Sequence, residues 1–489
     1  MLKDIQLDKS SSIYLYLQLY NQVRDLIKAG KLSPNTKLPP IRKLAKQLGV
    51  NNVTVVKGYD LLEEEELIYK KVGRGTFVAP AKKIKIEAEA ADLDQQIYID
   101  EDTKLDRAGE INFATAAPTP DLFPIAPFKK LLNKVLERDR GYAFGYQKSQ
   151  GYLPLRESIS NYANRYNISA NPEEIQIVSG AQQGIDILAK TFLDYGDTVF
   201  VERPTYPGAI SVFKSRQANI VEIPLKEDGI DITYLEAKLK EIKPKFLYLM
   251  PNFQNPTGYS YSQTKKEKLI KLADQHDLLI IEDDCLSDLN YSDQESNALK
   301  SLDKADRVIY IKSFSKIFMP GLRLAFLIIP DCYFNDILLS KYMSDIFTDG
   351  LVQRVLDLYF KEEVWEEQLI RLKETYQVRY ESMIVALREY LPNQIEFAKP
   401  NGGLNIWLEL PRGISASKIK DKSLKKGVNI APGAAFYSNQ PQVNKIRLSI
   451  AAVNKQEIKE GVKRLGALLQ QKLNDKEDDT WDNSVLPLV

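Results

Sequence analysis

Apolar positions recur at helical spacing through residues 14–29, YLYLQLYNQVRDLIKA, where Leu15, Leu19, Val23 and Leu26/Ile27 share a face. Gly30, Pro34, Pro39 and Pro40 in GKLSPNTKLPP break that helix. IRKLAKQL, residues 41–48, predicts a short second helix with Ile41, Leu44, Ala45 and Leu48 on one side. GVNN is a tight turn, and a third helix is predicted from about Asn52 to Glu65, burying Val55, Tyr59 and Leu62. LIYKK and TFVAP flank VGRG as two short strands, a hairpin signal. Helix, helix, turn, helix and hairpin make a winged helix-turn-helix plan. The third helix would enter a major groove, and the Gly73-Arg74-Gly75 tip would touch the neighbouring backbone or minor groove. A small helical domain with no DNA role fits the same pattern.

Residues 81–105, AKKIKIEAEAADLDQQIYIDEDTKL, are polar without strong periodicity and read as a linker. From about 106 apolar runs alternate with amphipathic helices. EIQIVSG leads into AQQGIDILAKTFL, TVFVERP and KFLYLMPNF follow, and KKEKLIKLADQH precedes DLLIIEDD, RVIYIKSFS and LRLAFLIIP. Such strands, apolar throughout and separated by helices, predict an α/β fold with a buried, mostly parallel sheet. The expected organisation is a head over 1–80, a linker over 81–105, a large domain over 106–475 with a smaller subdomain from about 375, and an acidic then apolar tail over 476–489.

Composition narrows the chemistry. The 489 residues are 44% hydrophobic and 27% charged, as in a soluble globular protein of more than one domain. No run of 18 apolar residues predicts a membrane span, and MLKDIQLDKSSS lacks the apolar core of a signal peptide, so a cytoplasmic protein is expected. Cys285 and Cys332 form no disulfide framework, and His276 is the only histidine, so no His-rich metal site is expected. Net charge is +1, but residues 1–80 hold 13 Lys/Arg against 8 Asp/Glu. That +5 leaves −4 for the rest, a weak pointer to nucleic acid at the N-terminal end.

In open α/β sheets ligands collect at the carboxyl ends of strands. There IVSGAQQG opens a helix whose free N–H groups suit a phosphate. ERPTYPG presents Tyr206, PNFQNPTG presents Asn255, and LLIIEDD ends in Asp283 and Asp284. KSFSK with PGLR supplies Ser313, Ser315, Lys312, Lys316 and Arg323. Each has a plain reading as turn chemistry, a packed tyrosine or a capped strand end. Together they are the set pyridoxal 5'-phosphate needs: an amine for its aldehyde, an anion for its ring nitrogen, a donor for its phenolic oxygen, a ring to stack on and a phosphate cradle.

Two resemblances follow. Residues 15–79 resemble the GntR type of winged-helix DNA-binding domain. The likeness implies that Arg42 contacts phosphate or base, that Asn51, Asn52, Thr54 and Lys57 face the groove, and that Gly73 and Arg74 form the wing tip. Where that family usually has Arg, this chain has Asn52. Arg suits guanine and Asn suits adenine, which shifts the expected half-site toward A/T. Residues 106–470 resemble the fold-type I aminotransferases of class I/II. That likeness implies Lys316 as the Schiff-base and catalytic lysine, and Ser313, Ser315 and Arg323 with Ala181 and Gln182 at the phosphate. Tyr206 would stack on the ring, Asn255 bond the phenolic oxygen, and Asp283 pair with the ring nitrogen, with Asp284 as the register alternative. Tyr146 would reach the phosphate across a dimer interface, and Arg447 would grip a substrate α-carboxylate. The family commonly has a tyrosine two or three places after the aspartate; here stand Cys285 and Leu286, so the phenolic oxygen loses a donor and the pKa of the internal aldimine should rise.

The fusion resembles the MocR family of transcription regulators. That implies binding to promoter DNA as a head-to-tail homodimer, with an amino acid or amine effector sensed through external aldimine formation. An active aminotransferase carrying a DNA-binding domain is the alternative.

Overall fold

The computed structural model describes residues 5, 7, 14–28, 32, 36–64, 67–71, 75–79, 109–292, 297–439 and 443–481. The chain divides into two compact units, within residues 1–94 and 95–489.

The smaller unit has helices Leu15–Lys28, Ile41–Leu48 and Asn52–Glu64, then strands Ile68–Lys71 and Gly75–Val78 paired antiparallel. Leu19, Val23, Leu44, Val55, Tyr59 and Leu62 form its core, as the helical spacing predicts. One pairing departs from the pattern. Lys37 bridges Phe77, Leu38 N–H donates to Thr76 O at 2.9 Å, and Val78 N–H donates to Thr36 O at 2.9 Å. The segment before Pro39 therefore adds a short extended edge to the hairpin. Proline cannot donate to a ladder, so the pairing stops there.

The larger unit is built on an eight-stranded sheet. Its order is Ile175–Val178, Ala325–Ile328, Val308–Ser313, Ile280–Asp284, Leu247–Leu249, Thr198–Arg203, Asn219–Lys226 and Gly229–Ile230. Ala325–Ile328 runs antiparallel to both neighbours and Gly229–Ile230 is antiparallel to its own; the remaining pairs are parallel. Six strands of this sheet are buried along their whole lengths, and all of them but the two-residue Gly229–Ile230 lie in the apolar runs of the sequence.

A second sheet lies toward the C-terminus, in the order Glu396–Phe397, Asn405–Glu409, Lys445–Ser449, Ala431–Pro432, all antiparallel. Beside it Ile111–Asn112 pairs in parallel with Val428–Asn429, tying the start of this unit to its C-terminal part. The last helix, Lys455–Trp481, runs on into the stretch expected as a tail. No described helix is long and apolar enough to cross a membrane.

Candidate cofactor site and DNA-facing surface

Asp283 ends the buried strand Ile280–Asp284. Tyr248, from the adjacent strand, donates its hydroxyl to Asp283 Oδ2 at 2.5 Å. Asp283 Oδ1 is buried with no hydrogen-bond partner among the described residues. Burial pushes the carboxyl up to about 6, against the lowering effect of the Tyr248 bond. Successive side chains of a strand point to opposite faces, and Asp284 has a different fate. It accepts from Tyr310 Oη at 2.7 Å and from Ser287 N–H at 3.0 Å, and it lies 3.4 Å from Lys312 Nζ. Burial works against the Asp284 charge, yet Lys312 and these donors hold its carboxyl below the usual range. Of the two register alternatives, Asp283 is the one with an open acceptor.

The two lysines of KSFSK separate in the same way. Lys312 is 0% exposed. Its Nζ lies 2.8 Å from Asp288, donates to Ser287 Oγ at 2.5 Å and stands 4.7 Å from the Tyr166 ring centroid. Burial alone would neutralise it, but Asp284 and Asp288 outweigh burial and raise its pKa. Lys316, just beyond the strand Val308–Ser313, is half-buried, and its amine makes no hydrogen bond or ion pair with a described residue. Its charge is felt by Cys285, whose thiol is pushed up chiefly by burial and then by Asp283, with Lys316 opposing.

The strand Ile175–Val178 passes through Ser179 and Gly180 into the helix Ala181–Phe192. Gly180 has φ +90°, and a Cβ there would stand 2.4 Å from Arg323 Nη2. The backbone conformation favours glycine, and any Cβ would displace the Arg323 guanidinium. Arg323, itself left-handed at φ 51°, donates to Ser179 O at 3.4 Å, so its guanidinium lies against the start of that helix. Ser313 Oγ, at the end of the strand that pairs with Ala325–Ile328, accepts from Ser315 N–H at 3.2 Å. Tyr206 precedes the helix Pro207–Ser215, and its hydroxyl donates to Gln182 Oε1 at 3.3 Å. Gln182 Nε2 donates in turn to Gly208 O at 3.0 Å. Gln182 thus holds the Tyr206 loop with its side chain, in addition to lying at a helix start.

Asn255 and Arg447 are brought together from 192 residues apart. Arg447 Nη1 donates to Asn255 Oδ1 at 3.1 Å, and Nη2 donates to Ala114 O. The Phe436 ring lies 5.2 Å from the guanidinium. Asn255 Nδ2 makes no bond to a described residue. Tyr146 is not drawn in: it is 90% exposed and meets Phe347 edge-on at 5.7 Å.

In the smaller unit the helix Asn52–Glu64 buries Val55, Gly58, Tyr59 and Leu62 and leaves Asn52 and Lys57 exposed, with Thr54 half-buried. Arg42 is exposed at the start of the preceding helix. Asn51 is partly committed, because its Oδ1 accepts from Val53 N–H at 3.1 Å and caps the helix start. Lys57 Nζ lies 5.5 Å from the Tyr16 ring centroid. Gly73 and Arg74, the expected wing tip, lie outside the described residues.

Both units match known protein families. Residues 111–465 match the family described as aminotransferase class I and II, and residues 15–78 match the bacterial regulatory proteins of the gntR family. The chain is 31% identical over 411 residues to aromatic-amino-acid aminotransferase 1 of Thermococcus litoralis, covering 80% of this chain and 99% of that one. It is 27% identical over 471 residues to the probable rhizopine catabolism regulatory protein MocR of Rhizobium meliloti, covering 94% of each. The chain belongs to the class I and II aminotransferases and, with its GntR-type head, to the MocR-like regulators. Among solved structures, LysN of Thermus thermophilus, an α-aminoadipate aminotransferase complexed with N-(5'-phosphopyridoxyl)-L-leucine, is 33% identical with a TM-score of 0.71. The match covers 75% of this chain and 94% of that one.

Class I and II aminotransferase domains typically bind pyridoxal 5'-phosphate, and a GntR head implies DNA binding. The residues of this MocR-like chain fit the cofactor on two observations. Asp283 Oδ1 is a buried acceptor lacking a donor, suited to a protonated ring nitrogen. The Arg323 guanidinium packs so closely on Gly180 that a Cβ would meet Nη2 at 2.4 Å, which sets a cation beside a helix N-terminus, a pairing suited to a phosphate. Tyr248 is a contributor that the sequence pattern does not single out, although a phenol in the otherwise apolar run KFLYLM signals a buried partner.

Proposed function

We propose that this GntR/MocR-type transcription regulator holds pyridoxal 5'-phosphate in its aminotransferase-like domain and senses an amino acid or amine there. The observation that carries the reading is the division of labour at the strand ends. Asp284 and Lys312 neutralise each other, while Asp283 Oδ1 and the Lys316 amine have no partner among the described residues. When bound, the cofactor supplies an aldehyde carbon that condenses with primary amines. Lys316 would hold that carbon, Asp283 the ring nitrogen, Tyr206 the ring face and Asn255 Nδ2 the phenolic oxygen. Arg323, Ser313, Ser315 and the N–H groups at Ala181 and Gln182 would hold the phosphate. Lys316 is then the group that an effector amine replaces, and Arg447 takes the effector carboxylate bidentately.

Tyr146 is too exposed to serve its own site, which supports a role in the site of a second copy. A head-to-tail homodimer would set the spacing of two DNA-reading heads. The effector regulates through its differential affinity for two such arrangements. Arg42, Asn51, Asn52, Thr54 and Lys57, with Gly73 and Arg74 of the wing, would contact promoter DNA. Asn51 would use its Nδ2, since its Oδ1 caps the helix.

The test is uptake of pyridoxal 5'-phosphate followed by visible absorption. The expected result is a band that amino acids shift and that Lys316→Ala abolishes; no uptake would overturn the reading. The second reading, a working aminotransferase, is favoured by the intact Asn255–Arg447 pair. Sustained turnovers with an amino acid and a keto acid would establish it.

A further inference from the structure

Two side chains on the helix Asn52–Glu64 have no place in the core or in the expected polar contacts to DNA. Val53 is 57% exposed and Val56 is 36% exposed. They stand three residues apart, so they share a face, and that face also carries exposed Asn52 and Lys57, opposite the buried Val55, Tyr59 and Leu62. Val has low helix propensity, and leaving it in water forgoes burial. Helix formation therefore does not account for the pair.

The surroundings identify what covers it. Arg42, Lys43, Lys46 and Lys57 are the charged residues between Ile41 and Gly58, and none is acidic. Arg42, Lys43 and Lys46 are exposed and make no ion pair with a described residue. Further along the helix, Asp60 and Glu63 pair with Lys70, at 2.9 Å and 2.5 Å. An apolar pair on one helix, with only cations among the charged residues from Ile41 to Gly58, suits a partner that is anionic at its rim and apolar at its centre. The major groove has that character wherever thymine 5-methyl groups line its floor between two phosphate backbones.

We propose that Val53 and Val56 read thymine 5-methyl groups, making them sequence-determining residues of the operator half-site beside Asn52. The proposal rests on the DNA-binding reading. Asn52 bonds adenine edges and the two valines cover the methyl groups of thymines at or next to those pairs, so the half-site core is A·T-rich.

The test uses the full chain with pyridoxal 5'-phosphate. A double-stranded oligonucleotide pool is first enriched for bound sequences, and the enriched site is then resynthesised with deoxyuridine in place of each thymine. Uracil keeps the base pair and loses the methyl group. The wild-type chain should lose about three- to fivefold in affinity for each contacted methyl removed, the scale of one buried carbon. Val53→Ala and Val56→Ala should bind thymine DNA correspondingly more weakly and respond less to uracil at one position each. An enriched site that binds equally well with uracil overturns the proposal while leaving DNA binding intact. The same uracil penalty in the double variant overturns it also, as does dissociation of a dimer caused by the double variant, which would assign the pair to a second copy. Failure to enrich any sequence would sink the DNA-binding reading itself.

Discussion

Arg447 Nη1 and Asn255 Oδ1 are hydrogen-bonded at 3.1 Å in a buried setting. The arginine expected to take an effector carboxylate and the asparagine expected to touch the cofactor's phenolic oxygen are therefore one unit. Changes at either should be felt at both. Asn255→Ala should shift the pH dependence of the cofactor's visible band and also weaken amino acid binding by about tenfold, the scale of one hydrogen bond to a charge. Arg447→Lys, which loses the planar fork, should weaken amino acid binding and leave the band's pH dependence in place. Spectral titrations of the two variants separate these effects.

Asp283 gives a pH prediction for the cofactor-free protein. Its carboxyl is raised from 3.8 to about 6 by burial. The folded protein thus holds the proton more tightly than the unfolded chain. Asp283 takes stability away as pH rises from about 4 through about 6, after which the loss is complete. Cofactor-free Asp283→Asn should match the wild type near pH 4 and exceed it above pH 7, by at most about 3 kcal/mol. Adding pyridoxal 5'-phosphate should reverse the order, because the wild-type carboxylate then gains a cationic partner. Thermal unfolding at the two pH values checks both statements.

The two neighbouring lysines should fail differently. Lys312→Met strands Asp284 and Asp288 without their counter-charge and should cost about 3–5 kcal/mol, enough to reduce the folded yield. Lys316→Ala removes an amine with no partner among the described residues and should change stability by less than about 1 kcal/mol. Denaturant unfolding of both variants tests the contrast.

Gly180→Ala probes the phosphate cradle. The substitution forces φ +90° on a residue with a Cβ and drives that atom against Arg323. Arg323 must move, and pyridoxal 5'-phosphate affinity should fall by about tenfold or more, the scale of a charge-assisted contact. Equilibrium dialysis against the cofactor measures it.

The strands that carry the site were legible because buried parallel strands read as unbroken apolar runs. Which of Asp283 and Asp284 faces the site was not, since alternation along a strand does not say which face is inward. The decision came from Tyr248 and Tyr310, on the two strands flanking the aspartates. KSFSK alone offers two lysines; Asp288, on the turn after the strand Ile280–Asp284, claims Lys312 and leaves Lys316 unpaired among the described residues. Ile111–Asn112 pairs across more than 300 residues with Val428–Asn429, and two residues carry no periodic signal. The extra hairpin edge at residues 36–38 was hidden because the prolines after it read as a break. The exposed Val53 and Val56 became informative once burial showed Val55, between them, to be the core residue.

DNA binding by the full chain with pyridoxal 5'-phosphate, titrated with and without the standard amino acids and straight-chain ω-amino acids, tests the central claim most directly. The account predicts that at least one of these ligands changes affinity for the enriched DNA site by about fivefold or more, and that Lys316→Ala abolishes the change while still binding DNA. DNA affinity indifferent to every such ligand, in a chain that turns amino acids over to keto acids, would contradict it.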